Sequence, residues 1–240
     1  MFIIMIEKHK LPPRLQAIAD WVREGSDLAD VGTDHALLPL DLLRRGRIAS
    51  AIATDINEEP LRRAQANARD REEERIRFFL CDGLASVAPG EADCVVIAGL
   101  GGENIADILR RAPWVREGVQ LLLQPMSRAE VLHRELQEMG LTVLRERLVE
   151  DTGRVYPIME AAGGDGGPWS NAEYYTGPWE MLCEDPLFPR YLEEQYRRLS
   201  QAVKGMEKSG READRERAET LREALRGMEE MRGKLSGNRI

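Results

Sequence analysis

The stretch Ala29-Asp-Val-Gly-Thr-Asp-His-Ala-Leu-Leu-Pro39 sets two acids, a glycine and a histidine between an apolar run and an amphipathic one. Leu28–Val31 reads as a short buried strand and Ala36–Arg45 as a helix that ends at Gly46. In an open parallel sheet such a strand-to-helix turn lies at the carboxyl rim, where ligands bind. Gly32 allows a tight turn and the close approach of a ligand. Backbone amides opening the helix at Ala36 suit an anionic group, and Asp30 or Asp34 suits a cationic amine opposite it. The pattern GxGxxG is absent, because Asp34 and Ala36 stand where later glycines would be. Two acids here would also repel a pyrophosphate, which argues against NAD and FAD. Either acid could instead cap the helix, although capping alone accounts poorly for two acids and a histidine in one turn.

Working outward, apolar runs alternate with amphipathic ones. Helices are expected at Leu11–Glu24, Glu58–Glu74, Ile105–Arg111 and Arg128–Met139. Further strands are expected at Ile48–Thr54, Ile76–Leu80, Ala92–Ala98 and Val119–Leu123. Strands spaced by helices imply a parallel sheet covered on both faces. The last two strands, around Thr142–Leu148 and Val155–Ala161, have no helix between them, and Glu150-Asp151-Thr152-Gly153 reads as their hairpin turn. Parallel βα repeats finished by an antiparallel hairpin are the recipe of the Rossmann-like class I methyltransferase fold, an α/β architecture with a mostly parallel seven-stranded sheet.

Gly163–Pro168 (GGDGGP) reads as a flexible break, and the aromatic-rich Trp169–Pro186 as an irregular docking segment. Beyond it Leu192, Tyr196, Leu199, Val203 and Met206 recur at coiled-coil spacing. Ser209-Gly210 interrupts the seam, which resumes through Leu221, Ala224 or Leu225, Met228, Met231 and Leu235. The expected organisation is a catalytic domain over 1–162, a linker over 163–186 and a C-terminal antiparallel helical hairpin (coiled coil) over 187–240. Such a hairpin is marginal alone and is expected to pack on the body or on a partner.

Three acids close three successive strands. Asp55 is placed to accept the hydroxyls of a ribose, with helix capping before Glu58 an open alternative. Asp82 could accept from an adenine amine, and Gly83 would leave room for its ring. S-adenosylmethionine offers the matching groups: ammonium, carboxylate, ribose and adenine. Ala98-Gly-Leu-Gly-Gly102 ends the fourth strand, and its small residues suit a flat base lying against the cofactor. A glycine loop capped by Asn104 is the plainer alternative. Gln124-Pro125 ends the fifth strand and could supply an amide to read a base edge.

The formal charge of −8 argues at first against a nucleic-acid partner. Leu187–Ile240, however, holds 13 basic and 10 acidic residues, leaving 21 and 32 on the rest of the chain. A mildly basic tail on an acidic body could bind structured RNA locally or be simply a solvated surface. Met1–Ile6 is the only apolar start, too short to span a bilayer, and is expected to be an edge strand or a disordered tip. Neither CxxC pairing nor histidine clustering occurs among Cys81, Cys94, Cys183, His9, His35 and His133. A reduced, cytoplasmic protein without metal is expected.

The segments LPPRL with Arg14, DVGTDHALLP, TDIN at 54–57, CDGL at 81–84, AGLGG at 98–102, LLLQP at 121–125 and the late strand with Tyr156 together resemble the bacterial tRNA adenine-N1 methyltransferases acting at position 22, called TrmK. The resemblance implies S-adenosyl-L-methionine as methyl donor and tRNA as substrate. It implies cofactor contacts at Asp30, Gly32, Thr33, Asp34, His35, Asp55, Ile56, Asn57, Asp82, Gly83, Ala98 and Gly99. Arg14, Leu100, Gly101, Gly102, Gln124 and Pro125 are expected to face the substrate, with Asp34 and Arg14 in catalytic roles. The chain departs from the family pattern at Leu37, where an aromatic residue often stands, and at Glu59, where glycine often does. A small-molecule methyltransferase with a helical lid, or a non-catalytic S-adenosylmethionine-binding adaptor, is the alternative. A monomer or weak homodimer is expected, and the tail's Arg197, Arg198, Lys204, Lys208 and Arg211 are its expected RNA-facing cations.

Overall fold

The computed structural model describes residues 11–209 and 211–237, so the expectations for Met1–Ile6, His9 and Gly210 lie outside the described residues. Strands β1 (Ser26–Val31), β2 (Ile48–Asp55), β3 (Ile76–Leu80), β4 (Cys94–Gly101), β5 (Gln120–Ser127), β6 (Leu141–Asp151) and β7 (Arg154–Gly163) form one sheet in the order β3-β2-β1-β4-β5-β7-β6. The first five are parallel, while β7 runs antiparallel to both β5 and β6. Strand order reverses between β1 and β4, which makes the rim beside them the place for a ligand. The β6–β7 turn is Thr152-Gly153, both with positive φ (49° and 78°), as a two-residue hairpin requires.

Helices α1 (Pro13–Ala19), α2 (Leu37–Arg44) and α3 (Glu58–Arg69) cover one face, and α4 (Gly102–Arg110) and α5 (Ala129–Glu138) the other. Strand β4 shows why its sequence is wholly apolar. Cys94 and Val96 pack with α1–α3, whereas Val95 and Ile97 pack with α4 and α5.

Several boundaries differ from expectation. Helix α1 stops at Ala19 rather than Glu24, and the following Trp21 is held beneath Arg145 and Arg147 instead of continuing the helix. Helix α3 stops at Arg69 rather than Glu74, with Glu72 in a left-handed conformation (φ 53°) on the way out. Strand β4 runs on through the glycines to Gly101, so α4 starts at Gly102. Individual glycines of the exposed GGDGGP stretch stand close to the body: a Cβ at Gly163 would fall 2.1 Å from the Arg116 carbonyl oxygen, and one at Gly166 would fall 2.3 Å from the Thr142 hydroxyl. Two short helices, α6 (Asn171–Thr176) and α7 (Trp179–Leu182), replace the irregular segment, and a Ser170–Glu173 capping box starts α6.

Helices α8 (Phe188–Ser209) and α9 (Glu212–Gly237) form the tail. Their cross-pairs Glu193–Arg232, Tyr196–Glu229 and Glu207–Arg222 give an antiparallel register. The expected seam is buried through Leu192, Leu199, Val203, Leu221, Ala224, Met228 and Met231. The same cluster includes Leu148 and Val155 of the sheet and Leu182 of α7, so the hairpin is docked on the body.

Candidate functional site

A cavity of about 670 Å³ opens at the carboxyl rim across the β1/β4 switch. Asp30, Asp34, Asp55 and Asp82 line it together with Arg14, Gly99 and Leu100. The register explains the convergence. Asp30 lies beside Ala53 on β2, two residues before Asp55, and Asp55 lies beside Leu80, two before Asp82.

The turn after β1 is held by its neighbours rather than by its own propensity. The amides of Gly32 (φ 71°) and Thr33 both donate to the Thr54 carbonyl, at 2.9 and 3.0 Å. Asp34, His35 and Ala36 then adopt positive φ in succession (21°, 40° and 51°). Such a run is strained for residues bearing a Cβ and persists only when the surroundings over-determine it. Here the Asn67 side chain of α3 donates to the His35 carbonyl at 2.9 Å, and Ala36 is fully buried. No side chain caps the turn or α2, which removes capping as the role of Asp30 and Asp34.

The four rim acids sit in different environments. Asp30 is buried, and its carboxyl accepts from the Thr33 hydroxyl at 2.6 Å. Burial raises its pKa to about 6, with the Thr33 hydrogen bond working against the rise and the Asp55 charge adding to it. Asp34 projects with 71% of its side chain exposed, its Oδ1 3.5 Å from His35 Nε2. Asp55 accepts from the Asn57 amide at 2.8 Å, shaping the loop ahead of α3 without capping the helix itself. Asp82 is clasped by both Nη atoms of Arg111, at 2.5 and 3.0 Å, and this hydrogen-bonded pair holds its carboxyl below the usual range. Acids outnumber the cavity's two arginines, an environment for a ligand with a cationic centre.

The glycines divide by role. Gly99 has φ 84° with open space where a Cβ would stand, at a bulge in the β4–β5 register. Leu100 lines the cavity beside it. Gly101 and Gly102 do not line it; a Cβ at Gly102 would fall 2.2 Å from the Arg128 carbonyl oxygen, so their smallness serves packing against β5 and the start of α5. Gly83 likewise makes room for Ile108, 2.8 Å from a notional Cβ, rather than for a ligand ring directly.

Thr33, Ile56, Asn57, Gly83 and Ala98 line the cavity, and Ile56 is 66% exposed there, an apolar surface against which a ring can lie. His35 lies outside it. Gln124 does not offer its amide to a base. Its side chain is buried, its Oε1 accepts from Arg14 Nη1 (2.8 Å) and the Gly99 amide (3.2 Å), and its Nε2 donates to the Pro125 carbonyl (3.0 Å). Pro125 lines a neighbouring groove of about 420 Å³ that meets the cavity at Met126. Asn104, Asp107, Ile108 and Arg111, of α4 and the turn after it, are not among the residues expected from sequence. They share the cavity because β4 passes into α4 without a loop, a junction hidden by the earlier helix start. Among the described residues no group of three or more His, Cys, Asp or Glu could hold a metal ion, and no helix is long and apolar enough to cross a membrane.

The sheet order, the terminal antiparallel hairpin and an acid-lined cavity at the switch point define the class: a Rossmann-like methyltransferase. Residues 11–159 match the family described as Methyltransferase domain. The tRNA (adenine(22)-N(1))-methyltransferase of Bacillus subtilis (strain 168) is 33% identical over 158 residues, covering 65% of this chain and 66% of that enzyme. The crystal structure of the B. subtilis m1A22 tRNA methyltransferase TrmK superposes with a TM-score of 0.83 at 26% identity, over 92% of this chain and 98% of that one. A Streptococcus pneumoniae protein provisionally assigned as a tRNA (m1A22) methyltransferase, solved in complex with S-adenosyl-L-methionine, superposes with a TM-score of 0.76 at 31% identity, over 90% and 100% of the two chains. The chain belongs to this family of bacterial tRNA (adenine-22, N1)-methyltransferases.

Proposed function

We propose that the chain transfers a methyl group from S-adenosyl-L-methionine to N1 of the adenine at position 22 of tRNA. One observation carries the reading: the acids closing β1, β2 and β3 meet in one cavity beside the Gly99 bulge. The site fits the cofactor by its chemistry. Asp30 and Asp34 suit its cationic methionine part, Asp55 its ribose and Asp82 its adenine, with Ile56 against the ring. Gly32, Thr33, Asn57, Gly83 and Ala98 form the walls between them.

When bound, S-adenosyl-L-methionine supplies a methyl group already activated on a sulfonium. Adenine N1 carries an in-plane lone pair and is largely unprotonated at neutral pH, so the chain has no proton to remove before attack. Its tasks are placement and charge. Leu100 and Gly99 leave the face beside Ala98 open for a flat base. Asp34, exposed at the rim, offers a carboxylate to the positive charge that the adenine acquires on methylation. Arg14, across the cavity, suits a substrate phosphate. An adenine stacked in the tRNA must be turned outward to reach this depth. The free thiols Cys81, Cys94 and Cys183 agree with a cytoplasmic enzyme.

The test is incubation with methyl-labelled S-adenosyl-L-methionine and total tRNA, followed by nucleoside mapping. Label in 1-methyladenosine at position 22 is expected. Incorporation into small molecules alone, or into a different nucleoside, would overturn the reading.

A further inference from the structure

Arg14 is the one basic residue of α1, and it is held from three sides. Its Nε donates to Asp151 Oδ2 at 2.6 Å and its Nη1 to Gln124 Oε1 at 2.8 Å, and its guanidinium lies 5.5 Å from the centre of the Tyr156 ring. Asp151 is 7% exposed at the end of β6, far from Arg14 in sequence, and Gln124 is completely buried at the end of an otherwise apolar run. Gln124 Oε1 also accepts the Gly99 amide at 3.2 Å. A continuous chain of hydrogen bonds therefore runs from the β6–β7 hairpin through Arg14 to the first glycine of the acceptor loop, along one wall of the cavity.

Anchoring α1 does not require this chain. Ala17, Ile18, Ala19 and Val22 are buried in the core, Arg147 donates to the Ala17 carbonyl, and Gln120 donates to the Trp21 carbonyl. A buried acid and a buried amide that converge on one arginine at the cavity mouth have a cost that a staple of α1 would not justify, because burying polar groups is favourable only when each is partnered. Arg14 Nη2, by contrast, makes no hydrogen bond among the described residues, and Arg14 itself lines the cavity.

We propose that Asp151 and Gln124 are positioning residues for methyl transfer: together they fix the Arg14 guanidinium in the cavity wall, with Nη2 left for a phosphate oxygen of the acceptor nucleotide, in register with the Gly99 loop. The proposal rests on the tRNA reading above only for the identity of that anion. A planar guanidinium held at both Nε and Nη1 presents the remaining Nη2 in a fixed direction. The amide of Gln124 couples the two sides of the acceptor subsite, so a shift of Arg14 is transmitted to the loop that faces the base.

A double-mutant cycle over Arg14→Ala, Asp151→Ala and the combined variant tests this, with Asp151→Asn as the milder second form. Asp151→Ala is expected to raise the KM for tRNA about tenfold or more, with cofactor affinity within about twofold of the parent, and the combined variant to be no worse than Arg14→Ala alone. Asp151→Glu is expected to restore part of the loss. Additive losses in the cycle, or a loss confined to cofactor affinity, would overturn the proposal. A crystal structure of Asp151→Ala supplies a readout that needs no substrate: the Arg14 guanidinium should turn out of its present pose. An unmoved Arg14 would overturn the positioning role even if the enzyme's substrate proved to be something other than tRNA.

Discussion

The carboxyl rim of the sheet and the helical tail are both rich in charge, but they treat it in opposite ways. In the tail Arg190, Arg197, Arg198, Arg222, Arg226 and Arg232 each face a carboxylate within ion-pair distance. Such exposed pairs contribute little to stability and leave little net field. At the rim, Asp30 is buried among apolar neighbours with a hydroxyl for its partner, Asp34 stands open on a strained backbone, and Asp55 sits close enough to Asp30 to raise its pKa. Unneutralised, strained charge is destabilising and is kept where a ligand completes it. The tail's charges set its register, whereas at the rim Asp30, Asp34 and Asp55, unlike the Arg111-clasped Asp82, face no arginine or lysine among the described residues.

The sharpest way to break this contrast is Asp34→Ala. The side chain is mostly exposed and caps nothing, so the fold and its melting temperature should be unchanged. Turnover should fall by about 10²–10³, the size typical of removing one electrostatic contact from a developing charge. Single-turnover rates at saturating cofactor give the comparison, and a rate within about threefold of the parent would remove Asp34 from the chemistry.

Asp30→Asn separates function from stability. Loss of the buried charge should weaken cofactor binding by roughly 10–100-fold, as for a hydrogen bond to a charged group. The sign for stability is the reverse. The folded pKa of about 6 lies above the ordinary 3.8, so the carboxyl stabilises the fold least once ionised. Its contribution is full below pH 3.8 and is lost as pH rises through about 6. The asparagine variant should therefore be more stable than the parent above that pH, by up to about 3 kcal/mol from the size of the shift. Denaturant unfolding at pH 5 and at pH 8 measures the difference, and a variant less stable at both values would contradict the burial argument.

The same titration predicts how the parent enzyme behaves. A cation held by ionised Asp30 binds less well once that acid is protonated, so cofactor affinity should be flat above pH 6 and fall by about tenfold per pH unit well below it. Calorimetry across that range in the Asp30→Asn variant should lose the slope. A slope that survives there belongs to another group.

Much of this contrast was legible in the sequence, and the rest was hidden for identifiable reasons. The acids at 30, 55 and 82 were legible because a strand's end fixes where its last side chain lies, whatever the tertiary details. The seam of the tail was legible because its period is local. The partners of those groups were hidden. Arg111 on Asp82 depends on where β4 stops and α4 begins, and glycines that read as a loop continue the strand. Gln124 sits at the expected rim but turns inward, because Arg14 and the Gly99 amide compete for its oxygen. Asp151 reads as part of a hairpin turn, and only the antiparallel return of β6 brings it to α1. Likewise the glycines at 163–166 read as slack, although the neighbouring backbone and Thr142 fill the space beside them.

The smallest predicted effect concerns tail cations that depart from the tail's pairing. Among the described residues Lys204 and Lys208 of α8 are exposed and make no ion pair, and the same holds for Arg215 and Arg217 of α9. If the tail touches tRNA anywhere, these are the charges it has free to offer. The combined variant Lys204→Glu/Lys208→Glu should weaken tRNA binding by about 3–10-fold and flatten the log–log salt dependence by about 1–2 units, one for each phosphate that the tail no longer neutralises. Cofactor affinity should not move, because both residues lie on α8, away from the cavity. Truncating the chain after Pro186 is a poorer probe, since it would also strip cover from Leu148, Val155 and Leu182. Fluorescence anisotropy with labelled tRNA at several salt concentrations decides the matter. An unchanged slope would take the two α8 lysines out of tRNA binding.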